Sequence, residues 1–297
     1  MRVRPRNLPT TQHTNMIQPA LKNDAFLADV KNAAHDPEHF HLWWLGQSGF
    51  LVQWQNRHLL LDPYLSDSLT KKYAGTDKPH VRMTELIVAP ERLDFIDVVT
   101  SSHNHTDHLD AETLIPLIRA NPNLVLVIPE ANRGFVAERL RVNGDFPLGL
   151  DAGKMQTVAG FRIHGVPAAH NELELDEPGR HRFLGYVIEF GPWIIYHSGD
   201  TVHYSGMEDW LLHWRIDVAL LPINGDRPER RVAGNLNGRE AATLAKQIDA
   251  SMVIPCHYDM FEFNTASPEE FASLARELGQ PFRVLKCGEQ WSSRELK

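Results

Sequence analysis

Apolar residues recur along this chain with two different periods, and each period predicts one kind of element. Short apolar runs rich in β-branched residues, bounded by Gly, Pro or polar residues, are typical of strands. Apolar residues three or four positions apart after a capping residue such as Asp110 are typical of helices. The predicted strands are three within 41–62, then 95–100, 124–128, 156–159, 161–166, 184–189, 193–197, 218–221, 252–255 and 282–285. The predicted helices are 23–34, 111–120, 131–142, 207–214, 239–248 and 269–278.

The order of these elements predicts an α/β protein with a layered core. Strands that alternate with helices indicate parallel pairing, whereas neighbouring strands such as 184–189 and 193–197 indicate antiparallel or mixed regions. No repeat or charged linker interrupts residues 41–297, so we expect one domain there. Residues 1–40 are interpreted as an N-terminal arm and a short helix. The arm is polar and aperiodic, and we expect it to be disordered or laid over a neighbouring surface.

One strand ends in a cluster of histidines and aspartates. The apolar run at 95–100 is followed by Ser-Ser-His103-Asn-His105-Thr-Asp107-His108, on the loop before the next predicted helix. Side chains two apart in a loop can point to the same side while adjacent ones diverge, so this segment can supply ligands to two ions. Imidazole and carboxylate suit zinc, manganese or iron. The alternative is a solvated His-rich loop, and a metal site needs further ligands from later strand ends.

Three later strands each end next to a residue that could complete such a site. His170 follows the strand at 161–166, Asp200 follows 193–197, and His257 follows 252–255. Taken singly, each of these side chains is better explained as an ordinary hydrogen-bonded residue than as a ligand. Their shared position immediately after strands, beside small or turn residues, is where an open α/β architecture places its working groups.

Composition and charge exclude several classes of protein and partner. With 297 residues, 42% of them hydrophobic, the chain is neither fibrous nor disordered in composition. A net charge of −8 without a basic block near the histidines argues against nucleic acid as the partner. A small-molecule substrate is therefore expected, and an anionic one stays open because local charge decides that. A homo-oligomer is compatible with the sequence.

The cysteines and the apolar segments of the chain predict its cellular compartment. Two cysteines, Cys256 and Cys287, do not make a disulfide framework. No apolar run is long enough to span a membrane, so membrane association is not expected. The charged N-terminus is followed by polar residues instead of the apolar segment of a signal peptide. We therefore expect a cytoplasmic protein.

Together these motifs resemble those of the metallo-β-lactamase superfamily, and in particular its L-ascorbate-6-phosphate lactonase-like hydrolases. The resemblance covers about residues 41 to 290. It is carried by Trp44-Leu-Gly-Gln-Ser-Gly, Leu61-Asp-Pro-Tyr-Leu-Ser-Asp, Ser102-His-Asn-His-Thr-Asp-His-Leu-Asp, Pro167-Ala-Ala-His-Asn, His197-Ser-Gly-Asp-Thr, Leu221-Pro-Ile-Asn-Gly and Pro255-Cys-His-Tyr-Asp. It implies an αββα sandwich in which two mixed β-sheets face each other and helices flank them, with metals at one edge.

The resemblance also implies which residues hold two divalent ions, zinc or manganese. The first ion falls to His103, His105 and His170, and the second to Asp107, His108 and His257, with Asp200 bridging. Two such ions share a water whose pKa falls toward ~7, so that a metal-bridged hydroxide is available at neutral pH. Asp107 and Asp200 are the predicted catalytic carboxylates, and Asp107 is a candidate to orient the hydroxide or accept its proton.

The implied activity is hydrolysis of a small lactone or ester, phosphorylated or not. The alternative is a phosphodiesterase acting on an N-acyl phospholipid or a nucleic acid, because relatives with the same ligands act on those substrates. Di-iron redox relatives carry Glu where His105 stands and need a flavin domain, so the sequence argues against that activity. A non-catalytic member would be expected to lose ligands, and none is lost.

The loops around the candidate ligands contain residues that we predict to orient a ligand or to bind the substrate. Asp62, directly after the third strand, is predicted to orient a ligand imidazole. The aperiodic segment 64–82 is predicted to be a long loop that forms a lid or wall over the site, with a mobile surface loop as the alternative. The candidate substrate-binding residues are Tyr64, His80 and Arg82 in that loop, and Asn224 and Arg227 in the loop 224–238. The arginines are alternatively solvated or paired with nearby acids.

Overall fold

Two β-sheets make up the centre of the protein in a computed structural model, which describes residues 16–296. Residues 1–15 of the predicted arm lie outside the described residues. The first sheet contains β1 (His41–Gly46), β2 (Gly49–Trp54), β3 (Arg57–Leu61), β4 (Val98–Thr100), β5 (Val125–Pro129), β6 (Leu148–Leu150) and β13 (Gln290–Ser292), in the spatial order β13-β1-β2-β3-β4-β5-β6. The second contains β7 (Met155–Val158), β8 (Phe161–Pro167), β9 (Leu184–Phe190), β10 (Trp193–His197), β11 (Val218–Pro222) and β12 (Met252–Cys256), in the order β12-β11-β10-β9-β8-β7.

Both sheets are mixed, and helices flank them. Strands β3 to β6 pair in parallel in the first sheet, as do β10 to β12 in the second, while the remaining pairs are antiparallel. The α-helices are α1 (Asn23–Ala33), α2 (Ser68–Tyr73), α3 (Ala111–Ala120), α4 (Arg133–Leu140), α5 (Met207–Leu211), α6 (Gly238–Gln247) and α7 (Glu269–Glu277). The predicted α/β class and the αββα sandwich are confirmed.

Aromatic side chains join the two sheets face to face. Phe50 on β2 lies with its ring centroid 6.2 Å from that of His197 on β10. Trp54 on β2 lies 5.8 Å from Phe190 on β9, again between ring centroids. Alternate residues of each strand point into this interface, so the strands are buried on that side. The polar loops lie at the edges of the sheets.

Two element predictions need correction. Residues 282–285 are not a strand, because Phe282 packs on Phe271 of α7 with ring centroids 5.6 Å apart and forms only an isolated bridge to Val253. The last strand is instead β13, which pairs with β1. The segment 64–82 is not a continuous loop, because it contains α2. Leu69 of α2 packs in a small apolar cluster with Tyr64, Met260 and Phe261. Packing against distant residues decides both cases, and local pattern does not show it.

The first described residues lie against the body of the protein. The Ile17 N–H donates to the carbonyl of Met83 at 2.8 Å, and the Ala20 N–H donates to the carbonyl of Cys287 at 2.7 Å. Helix α1 then buries Phe26 and Val30 in the main core. The two cysteines are free and buried. Within residues 16–296, no helix has both the length and the apolar character needed to cross a membrane.

Candidate metal centre

Loops at the ends of four strands bring the seven candidate ligands together. Four of them lie on the loop after β4, and the others follow β8, β10 and β12: His103, His105, Asp107 and His108, then His170, Asp200 and His257. The β4 loop closes on α3, where the Asp110 side chain caps the helix by accepting a hydrogen bond from the Glu112 N–H. The Leu109 N–H donates to the carbonyl of His105 at 2.8 Å, which folds the ligand segment into a turn.

Three imidazoles form the first group. His103, His105 and His170 each offer a ring nitrogen, and these nitrogens lie within 4.8 Å of one another. His170 donates through Nδ1 to the carbonyl of Gly234 at 2.8 Å, which leaves Nε2 facing His105 Nδ1 at 3.2 Å. His103 Nε2 is buried without a hydrogen-bond partner. Three neutral imidazoles with free nitrogens at one point fit a divalent ion such as zinc.

Two carboxylates and two imidazoles form the second group. His108 Nε2 lies 3.3 Å from Asp200 Oδ2 and 3.7 Å from Asp107 Oδ2. His257 Nε2 lies 3.4 Å from Asp200 Oδ2 and 3.8 Å from Asp107 Oδ2. The same oxygen of Asp200 is 3.8 Å from His170 Nε2, so this carboxylate reaches both groups. Four ligand atoms at these separations surround a space suited to one divalent ion.

The charges of the seven residues favour a cation at this centre. Burial alone would raise the pKa of Asp200, but the neighbouring His108 and His257 hold it well below its usual value. Burial would likewise lower the pKa of His108, yet Asp200 and Asp107 raise it well above the usual value. For His103, burial lowers the pKa well below the usual value. The carboxylates of the second group are therefore stabilised by nearby positive charge, which a divalent ion would supply, and the donor set of the seven residues fits divalent metal.

Asp62 orients one imidazole of the second group. It is fully buried and accepts a hydrogen bond from His108 Nδ1 at 2.6 Å, which leaves His108 Nε2 for an ion. It also accepts from the Ser102 N–H at 2.9 Å and from the Ser102 hydroxyl. A carboxylate that fixes the tautomer and direction of a ligand imidazole is the usual support of a metal site.

The Asp200 loop can approach the β4 loop only because residue 199 is glycine. Gly199 has a positive φ of 59°, and a Cβ at this position would lie 2.6 Å from the Ser102 side chain. A larger residue would therefore separate Asp200 from the β4 loop. Ser48 adds a hydrogen bond from its hydroxyl to Asp200 Oδ1 at 3.3 Å.

Gln47 is a member of the centre that the sequence analysis did not single out. Its side-chain Nε2 donates to Asp107 Oδ2 at 2.7 Å and lies 3.0 Å from His257 Nε2. It sits in the turn between β1 and β2, within the Gly46-Gln-Ser-Gly49 segment. The signal that could have identified it is a pair of polar residues between glycines inside an otherwise apolar hairpin.

A cavity of about 300 Å³ opens above the ligands. Its walls come from α2 and the segment after it, from the β4 loop, and from residues 231–233 and 261–264. The segment 64–82 thus forms a wall of the cavity. This agrees with the predicted lid or wall and not with the alternative of a mobile surface loop. Four cationic side chains line the cavity, and we call them the cationic rim: Lys72, Lys78, Arg139 and Arg231.

Only one of the five predicted substrate-binding residues lines the cavity. His80 does so, with its ring stacked on Tyr73 at 4.2 Å between centroids. Tyr64 and Arg82 are directed away: Arg82 donates to the carbonyl of Ser66 at 3.0 Å and lies over the Tyr64 ring, 5.4 Å from its centroid. Both pack beneath the wall, so the structure does not support a contact with substrate.

The two candidates from the loop 224–238 are also outside the cavity lining. Asn224 is buried and joined to Asn235 and Asn264, each through a side-chain hydrogen bond of 3.0 Å. Arg227 is exposed and does not line the cavity. Arg231, four residues later, takes the position that was predicted for Arg227, because the short 3-10 helix Pro228–Arg230 turns the chain between them.

Comparison with known proteins agrees with this geometry. Residues 41–257 match the family model described as a beta-lactamase superfamily domain. The chain belongs to the metallo-β-lactamase superfamily. A UPF0173 metal-dependent hydrolase of Rubrobacter xylanophilus is 30% identical over 262 residues, covering 84% of this chain and 95% of the relative. Another from Caldivirga maquilingensis is 28% identical over 244 residues, covering 82% and 93%. The protein is thus a metal-dependent hydrolase of this superfamily.

Solved structures with low sequence identity share the fold. Igni18, a metallo hydrolase from Ignicoccus hospitalis, superposes with a TM-score of 0.62 at 22% identity, covering 86% of this chain and 98% of that one. The isothiocyanate hydrolase from Delia radicum gut bacteria has a TM-score of 0.64 at 19% identity, covering 84% and 98%. At these identities the likeness concerns the fold of this superfamily member and not its substrate.

Proposed function

We propose that this hydrolase binds two divalent ions, zinc or manganese, and opens a small anionic lactone or ester, in the manner of the L-ascorbate-6-phosphate lactonase-like enzymes. The observation that carries the proposal is the position of Asp200. Its Oδ2 lies 3.3 Å from a nitrogen of the second group and 3.8 Å from one of the first, so one carboxylate serves both. Two ions sharing a ligand are the arrangement expected of a dinuclear hydrolase.

The chain's own residues then have distinct tasks. When bound, the ions would activate a water molecule and polarise the carbonyl or phosphoryl oxygen of the substrate. Asp107 keeps 17% of its side chain exposed to the cavity, whereas Asp200 keeps 4%. The burial of Asp107 would raise its pKa, but His108 and His257 keep it below the usual value. Asp107 is therefore ionised at neutral pH and faces the cavity, where it could accept a proton during the reaction.

The cationic rim supports an anionic substrate. Four cations line the cavity: Lys72, Lys78, Arg139 and Arg231. Among the described residues, the only carboxylates in the lining are the candidate ligands Asp107 and Asp200. With those two acids committed to ions, the charge left in the cavity is positive. A phosphate or carboxylate on the substrate would be held by this charge, outside the reacting centre.

A phosphodiester is the alternative substrate class, because the same ligands and the same rim suit a phosphoryl centre. The size of the cavity separates the two classes. About 300 Å³ is the lower end of the range for small-molecule sites and accommodates a compact substrate more readily than a phospholipid with long acyl chains.

The proposal is tested by metal analysis followed by a substrate screen. Purified protein loaded with Zn²⁺ or Mn²⁺ should retain two equivalents after dialysis. It should then hydrolyse a phosphorylated lactone faster than the same lactone without phosphate, and faster than a bis-aryl phosphodiester. One retained equivalent would contradict the two-ion centre, and a faster reaction with the phosphodiester would move the assignment to the alternative class.

A further inference from the structure

Gln47 contacts two members of the second metal group and has no assigned role. Its Nε2 donates to Asp107 Oδ2 at 2.7 Å and lies 3.0 Å from His257 Nε2. The side chain is 1% exposed, and its Oε1 is buried without a hydrogen-bond partner. An unpartnered amide oxygen in the interior costs free energy, so the position of this side chain calls for a reason other than core stability.

The backbone of Gln47 is held at the same place by separate contacts. Its φ is 51°, in the left-handed region that non-glycine residues rarely adopt. Its carbonyl accepts hydrogen bonds from the His257 N–H and from Trp44 Nε1, both at 2.9 Å. A strained backbone that is fixed by two hydrogen bonds delivers its side chain to one point, as is typical of functional positions.

Burial of a glutamine in this hairpin does not by itself place it in the centre. Gln53, on the neighbouring strand β2, is also 1% exposed and also has a buried Oε1 without a partner. It lies outside the cavity lining and outside the metal groups. The two residues therefore have the same chemistry and the same burial, and they differ in the contact with Asp107.

We propose that Gln47 is a positioning residue that holds Asp107 for the second ion and thereby sets the affinity of that ion. The inference rests on the proposed two-ion centre. Asp107 is the most exposed of the four ligands in its group, and Asp62 orients only His108. Without the Gln47 amide, the Asp107 carboxylate would lose the donor that directs it toward His108 and His257.

The test measures metal binding directly, on full-length protein stripped with a chelator and titrated with Zn²⁺ alone. Gln47→Leu removes the donor at similar volume, and leucine, like glutamine, is unbranched at Cβ, so the backbone strain is matched. Gln47→Glu keeps the shape but presents a carboxylate that cannot donate to Asp107. In both variants we expect the second ion to bind about 10–100-fold more weakly, as for the loss of other groups that support a ligand. The first ion should keep its affinity.

Gln53→Leu is the matched control and should bind both ions as the wild type does. Thermal unfolding of the metal-free variants separates a folding defect from a metal-site defect. Unchanged binding of the second ion in Gln47→Leu would overturn the proposal. Binding of the second ion as tight in both variants as in wild type would likewise overturn it, because the donated hydrogen bond would then not set the affinity. A wild-type protein that binds one ion would overturn the two-ion centre as well, whereas two bound ions without hydrolysis of any lactone would contradict only the proposed substrate.

Discussion

The floor of the cavity and its rim are built in opposite ways. The floor consists of the seven candidate ligands, five of which line the cavity, and every one of its imidazoles except His105 is buried. Support comes from Asp62, Gln47 and the Gly234 carbonyl, each at 2.6–2.8 Å from a ligand atom. The rim consists of four cations, and Arg231 keeps 58% of its side chain exposed. The floor is thus fixed by buried neighbours, whereas the rim side chains are exposed or half-buried.

This difference indicates how substitutions in the floor and in the rim should affect activity. A ligand set that is mostly buried and held by neighbouring groups acts as a unit, so the loss of one member affects binding and chemistry together. Rim cations act one by one through screened charge, and each has other partners: Arg231 pairs with Asp77 at 2.6 Å, and Arg139 donates to the Asn104 carbonyl at 2.6 Å. We therefore expect large effects from the floor and small, substrate-dependent effects from the rim.

The largest effect should follow removal of a ligand from the floor. His105→Ala deletes the ligand of the first group that is exposed to the cavity, and Asp200→Asn weakens the carboxylate that reaches both groups. Each should lower kcat/KM by more than about 100-fold, since even the loss of a supporting group costs 10–100-fold. Circular dichroism should show an intact fold, because His105 contributes no core packing. Activity within tenfold of wild type would show that the floor does not act as a unit.

A smaller effect should follow loss of the support beneath the floor. Asp62→Asn keeps the size of the side chain but removes the charge that holds His108 Nδ1. We expect metal affinity to fall about 10–100-fold, measured by competition with a chromogenic chelator. Asp97→Asn is the control, because Asp97 accepts hydrogen bonds from the His58 N–H and from Arg57 far from the ligands. Equal losses in the two variants would mean that Asp62 acts only on stability.

The floor could be predicted from sequence to a much greater extent than the rim. Ligands follow strands directly, so strand ends in a layered α/β fold place His103, His170 and Asp200 at one edge without knowledge of loop geometry. Gln47 was missed because its signal is a buried polar residue in a turn, and burial is decided by the facing sheet. Local sequence gives no information on that packing.

The rim depends on loop paths that the sequence pattern does not determine. Arg227 and Arg231 have the same chemistry, and the chain turns between them, so only the second lines the cavity. Lys72 lines the cavity because α2 forms, and α2 forms because Leu69 packs against Tyr64 and Phe261. Such contacts join residues far apart in the sequence, which is why the predicted loop contained a helix.

An effect that depends on the substrate should follow changes at the rim. Arg231→Ala and Lys72→Ala should each raise KM for a phosphorylated lactone by about tenfold, equivalent to about 1.4 kcal/mol, with kcat nearly unchanged. KM for the lactone without phosphate should stay within twofold. Arg227→Ala, in the same loop as Arg231, is the control and should change neither constant. Equal increases for both substrates would show that the rim does not bind the phosphate.

The smallest effect on activity should come from Arg82, which belongs to neither region. Its side chain is 7% exposed and donates to the Ser66 carbonyl at 3.0 Å while lying over the Tyr64 ring. Arg82→Ala should therefore lower the free energy of unfolding by about 1–3 kcal/mol, measured by urea denaturation, because the Ser66 carbonyl loses its charged donor. KM for both lactones should stay at the wild-type value at temperatures where the variant is folded. A selective rise in KM for the phosphorylated lactone would mean that the substrate reaches Arg82, and Arg82 would then belong to the rim.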